Sequence, residues 1–580
     1  MIGFIMDATK NPFEYDAAPN LDPELLVAWF IEDHNHSRFI QSTRNVLING
    51  QRGSGKSMAL IYNSVPYQKI RAKLTCENFP QKSIGIYIPC NTPLTHKQEY
   101  RLLPEVEQAI LSEHFFVYGM GISMAKDLQF LIDQFTIEDI KFLQDEFAFL
   151  TGKTPIYTQS PFLFLKNIFR ELLRKDQELL GSGINTSIDF ETTTFYTLVL
   201  PIVTALRETE LLKDTHISLL IDDAHDLNHH QRAVLNSWLG YRDHSVFSFK
   251  VAIAGMRHYD FRTAFGGSIL EGHDYISVDF DQPFQNDESD FGKFARDVVQ
   301  KRLNDVGINK SADDFFPESF ELRNEIEKYL DLAVKEAKEK GITETKAISD
   351  YRFKYGRALY FRSRGAKANR PQYAGFSTLA HLSTGVIRNL LEPCYWMYDR
   401  LLSESNRKEG TPELVPAHIQ SAIILQRSDN YWEFIRNNLS LKITGCSETD
   451  AKKIVNLLTG LCEHFVERLK KHESEPRVIV FSISAYSDIL RSELQPLLNL
   501  AEKAQLLYVR SGPKKKGGGR EDFYILNRML LPAFGLDAHG QHGRASIQAE
   551  YLVAATQGKV IPLKVAEITG DSLQGGLFDE

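Results

Sequence analysis

RNVLINGQRGSGKSMAL, residues 44 to 60, decides the fold. Val46 to Ile48 is β-branched and apolar, which predicts a buried strand. Gly50, Gly53 and Gly55 punctuate a turn, and Met58 to Leu60 is helix-prone. The span Gly50 to Ser57 fits G-x-x-x-x-G-K-S, the phosphate-binding loop or Walker A motif, in the strand–loop–helix context that the motif needs. Glycines let backbone N–H groups point inward at phosphate oxygens, and the helix N-terminus adds partial positive charge. The predicted nucleotide-binding set is therefore Gly50, Gln51, Arg52, Gly53, Ser54, Gly55, Lys56, Ser57 and Met58. Lys56 is expected to reach the β- and γ-phosphates, and the Ser57 hydroxyl to ligate Mg2+. ATP and Mg2+ are the expected cofactors.

The surrounding chain is too long for one core. Its 580 residues predict two to four domains. Hydrophobic and charged fractions of 43% and 24% are ordinary for a soluble globular protein. The net charge of −8 means that a nucleic-acid function needs a local basic patch. Cys76, Cys90, Cys394, Cys446 and Cys462 lack C-x-x-C spacing, which excludes a zinc ribbon and fits a reducing cytoplasm. The opening MIGFIMDATKNPF is too short and acidic for a signal peptide, and FYTLVLPIVTAL falls short of a membrane span, so no membrane partner is expected.

A phosphate loop needs a carboxylate to hold its metal. HISLLIDDAHDLN supplies one: Ile217 to Ile221 predicts an apolar strand with Asp222 and Asp223 at its C-terminal end, a Walker B pattern. Asp222 is the expected Mg2+ ligand, and Asp223 the group that polarises the attacking water. Aspartate is shorter than the glutamate many related sites carry there, which predicts slow hydrolysis. Val251 to Gly255 predicts the next strand, ending on Met256, Arg257 and His258. Arg257 there reads either as a γ-phosphate sensor or as a surface arginine. Ile84 to Cys90 predicts a further strand.

The order of these pieces, followed by STGVIRNLLEPC at residues 383 to 394, resembles the origin-recognition-complex-like, replication-initiator branch of the AAA+ ATPases. That family's sensor-2 pattern is matched by Gly385, Arg388, Leu391 and Cys394. The resemblance implies that Arg388 contacts the γ-phosphate from a helical lid. It also implies that residues 290 to 303 open the lid and 411 to 425 lead out of it. Residues 95 to 200, a mostly helical insertion, and 304 to 382 run longer than the family pattern. Arg302, Arg362 and Arg364 are the available candidates for an arginine finger.

The C-terminal part reads as a winged helix. LRSELQPLLNLAEKAQ predicts an amphipathic helix, LLYVRS and REDFYILN two strands, and GPKKKGGG a basic turn between them. The hairpin holds Arg510, Lys514, Lys515, Lys516, Arg520 and Arg528. Lys514, Lys515, Lys516 and Arg520 are the expected duplex-DNA contacts, following the phosphate backbone without reading sequence. His539 and His542 with Asp537 read as a structural turn rather than a metal site, as do residues 33 to 37 and His229–His230. Residues 352 to 376 mix arginines with aromatics, as a nucleic-acid surface, a lid face or a subunit contact would.

The expected fold class is α/β, a three-layer P-loop NTPase of the AAA+ type with a helical lid and a C-terminal winged helix. The expected domains are a lead-in at 1–43, packing near the adenine, the ATPase domain at 44–280, the lid at 281–430 and the winged helix at 431–580. The expected function is a cytoplasmic ATP-hydrolysing switch that couples nucleotide state to DNA through the winged helix and associates with itself or a partner protein. The alternatives are a STAND-type signalling or phage-defence ATPase acting on protein partners, and a non-hydrolysing structural module.

Overall fold

The computed structural model describes residues 11–32, 37–76, 79, 82–90, 103–181, 192–241, 246–281, 289–364, 369–404, 412–443, 445–471, 477–513, 520–539 and 544–563. The chain forms two compact units, Met1–Asn309 with Gly385–Tyr395, and Lys310–Thr384 with Trp396–Glu580.

The first unit is built on five strands: β1 Val46–Asn49, β2 Ser83–Pro89, β3 His216–Asp222, β4 Phe247–Ile253 and β5 Ile276–Asp279. They pair in parallel in the order β2-β3-β4-β1-β5. Parallel pairing leaves both faces to be covered, and the strands are accordingly apolar on both. Ile48, Leu220, Ala252 and Val278 meet Ala59 and Leu60 of the helix Lys56–Tyr62 on one face. Ile84, Ile86, Ile217 and Leu219 meet the insertion on the other.

The insertion is helical, as its sequence suggests: Glu105–Leu128, Ile137–Thr151, Pro161–Gly181 and Leu200–Glu208. Its aromatic interior, Phe115, Phe116, Phe147, Phe162 and Phe169, is continuous with the core beneath the sheet. The helix Ile137–Thr151 starts at a capping box, in which Thr136 accepts from the Asp139 N–H and Asp139 from the Thr136 N–H.

One strand begins earlier than the sequence implies. The apolar run from Val251 marks only the second half of β4, which starts at Phe247. Two buried polar residues, Ser248 and Lys250, interrupt the pattern. Lys250 Nζ donates to the Ser42 carbonyl at 2.6 Å, to Ser248 Oγ at 2.9 Å and to the Arg44 carbonyl, which satisfies a cation inside the sheet.

The second unit combines helices with a smaller sheet. Phe320–Glu339 and Thr345–Arg362 form a helical pair, and Ala417–Lys442 and Glu448–Lys470 are the long helices that follow. Strands β6 Val480–Ser484, β7 Leu507–Pro513, β8 Arg520–Leu526 and β9 Arg544–Gln548 form a sheet in the order β7-β8-β6-β9. The helix Asp488–Lys503 connects β6 to β7, and the antiparallel β7–β8 hairpin is the wing. The fold is thus a three-layer AAA+-type P-loop domain with helical lid elements and a C-terminal winged helix.

Arg528, counted above among the wing cations, is not on the wing. β8 ends at Leu526, and Arg528 is 2% exposed, with Nη1 2.9 Å from His381 Nδ1 and its N–H on Thr384 Oγ1 at 3.1 Å. Two other arginines considered as fingers are also held within this unit. Arg362 donates to the Leu469 and Lys471 carbonyls, and Arg364 pairs with Glu325.

Asp537 centres a buried ionic cluster in the second unit. Its Oδ2 accepts from Arg357 Nε at 3.2 Å and Arg477 Nη1 at 3.3 Å, and its Oδ1 lies 3.1 Å from His539 Nδ1. His539 is therefore an element of an ion network, while His542 lies outside the described residues. Among the described residues no group of His, Cys, Asp and Glu is arranged to hold a metal. Burial and the Arg357 guanidinium push the His539 imidazole down from 6.5 to about 4. The unfolded chain then takes up a proton below about pH 6.5 that the folded chain refuses until about pH 4, so stability falls on acidification through that window. The loss approaches ~3 kcal/mol at its lower end. Denaturant midpoints at pH 7 and pH 5 should differ accordingly, and His539→Gln should flatten the difference.

Candidate nucleotide site

The phosphate loop follows β1 directly. Gly53 at φ +88° and Gly55 at φ +99° take the left-handed backbone that the turn demands. A Cβ on Gly53 would lie 2.7 Å from Arg388 Cβ, and one on Gly50 would lie 2.6 Å from Ser54 Oγ. The helix Lys56–Tyr62 then starts on the motif lysine. Lys56 is 5% exposed, and its Nζ donates to the Gly50 and Gln51 carbonyls at 2.6 and 2.9 Å. Burial lowers the ammonium pKa, while Asp281, Asp222 and Asp223 oppose that shift. Ser57 is the second residue of this helix and Met58 the third. Arg52, at the loop's exposed rim, donates to Asp226 Oδ1 at 3.3 Å.

Asp222 closes β3 and is 1% exposed. Its Oδ1 accepts from the Asp223 N–H at 3.0 Å, and its Oδ2 from the Tyr87 hydroxyl at 2.8 Å. Asp223 sits at φ +54°, a strained position for a residue with a side chain. Burial, with the Asp222 and Asp226 carboxylates, pushes its pKa up to about 6. A carboxyl so tuned is ionised at neutral pH yet more basic than an ordinary aspartate, as general-base chemistry requires.

Arg257 lies in the turn Met256–His258 after β4, on its exposed side. That turn is tied to the end of β1, because the Met256 N–H donates to Asn49 Oδ1 at 3.0 Å. Arg388 opens the helix Ile387–Glu404, and its backbone N–H donates to the Gly53 carbonyl at 3.1 Å. The start of this helix therefore touches the phosphate loop itself. Gly385, at φ +84°, turns the chain into that helix, and Cys394 is fully buried.

An apolar pocket adjoins the loop, lined by Trp29, Phe30, Met58, Phe280, Ile387 and Leu391 beside Gly55. The lead-in forms one wall. Arg302, a candidate finger in the sequence, belongs to this wall: its guanidinium stacks 4.1 Å from the Trp29 ring and donates to the Pro12 and Glu14 carbonyls at 2.9 and 2.5 Å. Burial pushes its pKa down to about 9. It falls on the apolar stripe of the helix Asp290–Asp305, with Phe291, Ala295, Val298 and Val299, a spacing that marks an inward-facing position. Asp281 was not singled out by the sequence. It accepts from the Gln51 N–H at 2.8 and 2.9 Å through its two oxygens, fixing the loop's first turn. On the wing, Arg520 is exposed with Nη2 3.1 Å from the Ser511 carbonyl, while Lys514, Lys515 and Lys516 lie outside the described residues.

The residues suit a nucleoside triphosphate with its metal. Ser54 Oγ is buried without a hydrogen-bond partner among the described residues, the glycines leave a cradle, and a lysine and a carboxylate converge on it. Such a site on such a sheet defines an AAA+ P-loop ATPase. The ORC-CDC6-like family model matches residues 11–343 and 326–547, and the chain belongs to that family. No curated protein matches the sequence. Among solved structures, the Aeropyrum pernix Orc1 protein in complex with DNA is 10% identical over 91% of this chain and 96% of its own, with a TM-score of 0.30. Cdc6p from Pyrobaculum aerophilum is 10% identical over 94% and 96%, with a TM-score of 0.28. Among the described residues no helix is long and apolar enough to cross a membrane.

Proposed function

We propose that this chain is an ATP-hydrolysing switch that couples nucleotide state to duplex-DNA binding through its winged helix. The observation that carries the reading is the contact of the sensor-2 segment with the phosphate loop, Arg388 N–H to Gly53 O, beside the buried Lys56. Backbone N–H groups of Gly53 to Ser57 bind the phosphates, and Lys56 turns its ammonium from loop carbonyls toward the β- and γ-phosphates. The apolar pocket takes the base. Asp222 and Ser57 hold Mg2+, which when bound neutralises phosphate charge. Asp223 draws the proton from the attacking water. Arg257 and Arg388 sense the γ-phosphate, and Arg388 passes its presence to the lid helix. Arg520 and Lys514 to Lys516 follow the DNA backbone.

Steady-state ATP hydrolysis with and without duplex DNA tests this, with Lys56→Ala as the blank. A Lys56-dependent rate raised by DNA, and lost when Lys514, Lys515 and Lys516 become alanine, supports the coupling. A rate indifferent to DNA sinks it in favour of a switch driven by protein partners.

A further inference from the structure

The edge of the large sheet carries a connection that neither Walker motif contains. β2 is the edge strand, paired in parallel with β3 so that Tyr87 is level with Leu220 and Pro89 with Asp222. From there the Tyr87 hydroxyl donates to Asp222 Oδ2 at 2.8 Å. A phenol is protonated at neutral pH, and a carboxylate can only accept, so the hydroxyl is the donor of this bond. With the Asp223 N–H on the other oxygen at 3.0 Å, both oxygens of the Asp222 carboxylate are held by donors.

Tyr87 is held in turn from outside the sheet. Its backbone N–H donates to Asp127 Oδ2 at 2.8 Å. Asp127 lies near the end of the insertion helix Glu105–Leu128 and is 5% exposed. Burial pushes its carboxyl up to about 7, with the Tyr87 N–H opposing. A buried acid on an inserted helix thus grips one residue of the edge strand, and the side chain of that residue grips the Walker B aspartate.

We propose that Tyr87 is a positioning residue for the metal-holding carboxylate, and that the helical insertion sets its position through Asp127. The inference rests on Asp222 being the Mg2+ ligand of the proposed ATP site. It gives the insertion a defined route to the reaction centre: a displacement of its first helix moves the Tyr87 backbone, the hydroxyl and the carboxylate in series. Partners that hydrogen-bond a metal ligand typically change metal affinity ten- to a hundredfold when removed.

Tyr87→Phe keeps the ring and deletes one O–H. ATP binding is measured by calorimetry in EDTA, and Mg2+ is then titrated into the protein–ATP complex. The expected result is equal ATP affinity of wild type and variant in EDTA, with Mg2+ binding weakened about tenfold in Tyr87→Phe. Asp127→Leu should weaken Mg2+ in the same direction and speed hydrogen exchange at the Tyr87 amide, while Asp127→Asn, which retains a carbonyl acceptor, should restore both. Unchanged Mg2+ affinity in Tyr87→Phe overturns the positioning role, even if Asp127→Leu fails to fold. Wild-type protein that binds no ATP overturns the nucleotide site and this inference together.

Discussion

Asp537→Ala should lower the stability of the second unit by about 3–5 kcal/mol, the range found when one partner of a buried ion pair is removed. The Asp537 side chain is 2% exposed and answers two guanidinium groups, whose own side chains are 21% exposed at Arg357 and 8% at Arg477. Burial by itself would raise its pKa. Arg357, His539 and Arg477 more than compensate and hold the carboxyl well below its ordinary value. Alanine leaves two converging cations with no anion. Arg477 keeps its bonds to the Phe353 and Lys354 carbonyls, so it cannot swing to water without breaking them. Asparagine, which keeps an acceptor but no charge, should cost less than alanine. Urea denaturation read by far-ultraviolet dichroism measures the effect. A change below about 1 kcal/mol would mean that the cluster is worth no more than surface ion pairs.

Lys56→Ala should reduce ATP turnover on the order of 10²–10³-fold, the loss expected when a preorganised cationic donor to a transferring phosphoryl group is removed. Stability should move the other way. The ammonium is buried and its charged form is disfavoured there, so deleting it relieves a desolvation cost and removes only two bonds to loop carbonyls. Turnover is followed by phosphate release, and the unfolding midpoint by the denaturation assay above. Lost turnover with an unchanged or higher midpoint separates a chemical role from a folding role. A Lys56→Ala protein that still hydrolyses ATP at the parental rate would place the reaction elsewhere.

The strand and turn around the phosphate loop, and the strand that ends on Asp222, were legible because each lies within about a dozen contiguous residues. Their supports were not. Tyr87 and Asp222 are 135 residues apart, and Arg302 and Pro12 are 290 apart, so no local pattern joins them. Arg302 is buried because it falls on the apolar stripe of its helix, although an arginine near a helix end is usually solvated. The first half of β4 is hidden in the sequence because Lys250 and Ser248 are polar, and only the fold reveals that they bond to each other and that Lys250 also bonds the turn before β1. The wing hairpin was legible from two alternating strands around glycines, but the burial of Arg528 depends on His381 and Thr384, more than a hundred residues earlier.

The pinning of residues 12 and 14 by Arg302, and of the Tyr395 carbonyl by the Asn11 side-chain amide, has a consequence for synthesis. Asn11 and Tyr395 are separated by 384 positions. At roughly 5–20 residues per second, a ribosome delivers the later partner about 20–80 s after the earlier one. Asn11, Pro12 and Glu14 therefore leave the exit tunnel long before Arg302 and Tyr395 exist to hold them. The insertion helices and the parallel sheet can assemble in that interval, and the apolar pocket beside the phosphate loop, which Ile387 and Leu391 help to line, is completed last. A nascent chain stalled before Tyr395 should hold a sheet without a finished apolar pocket, a species open to capture by chaperones.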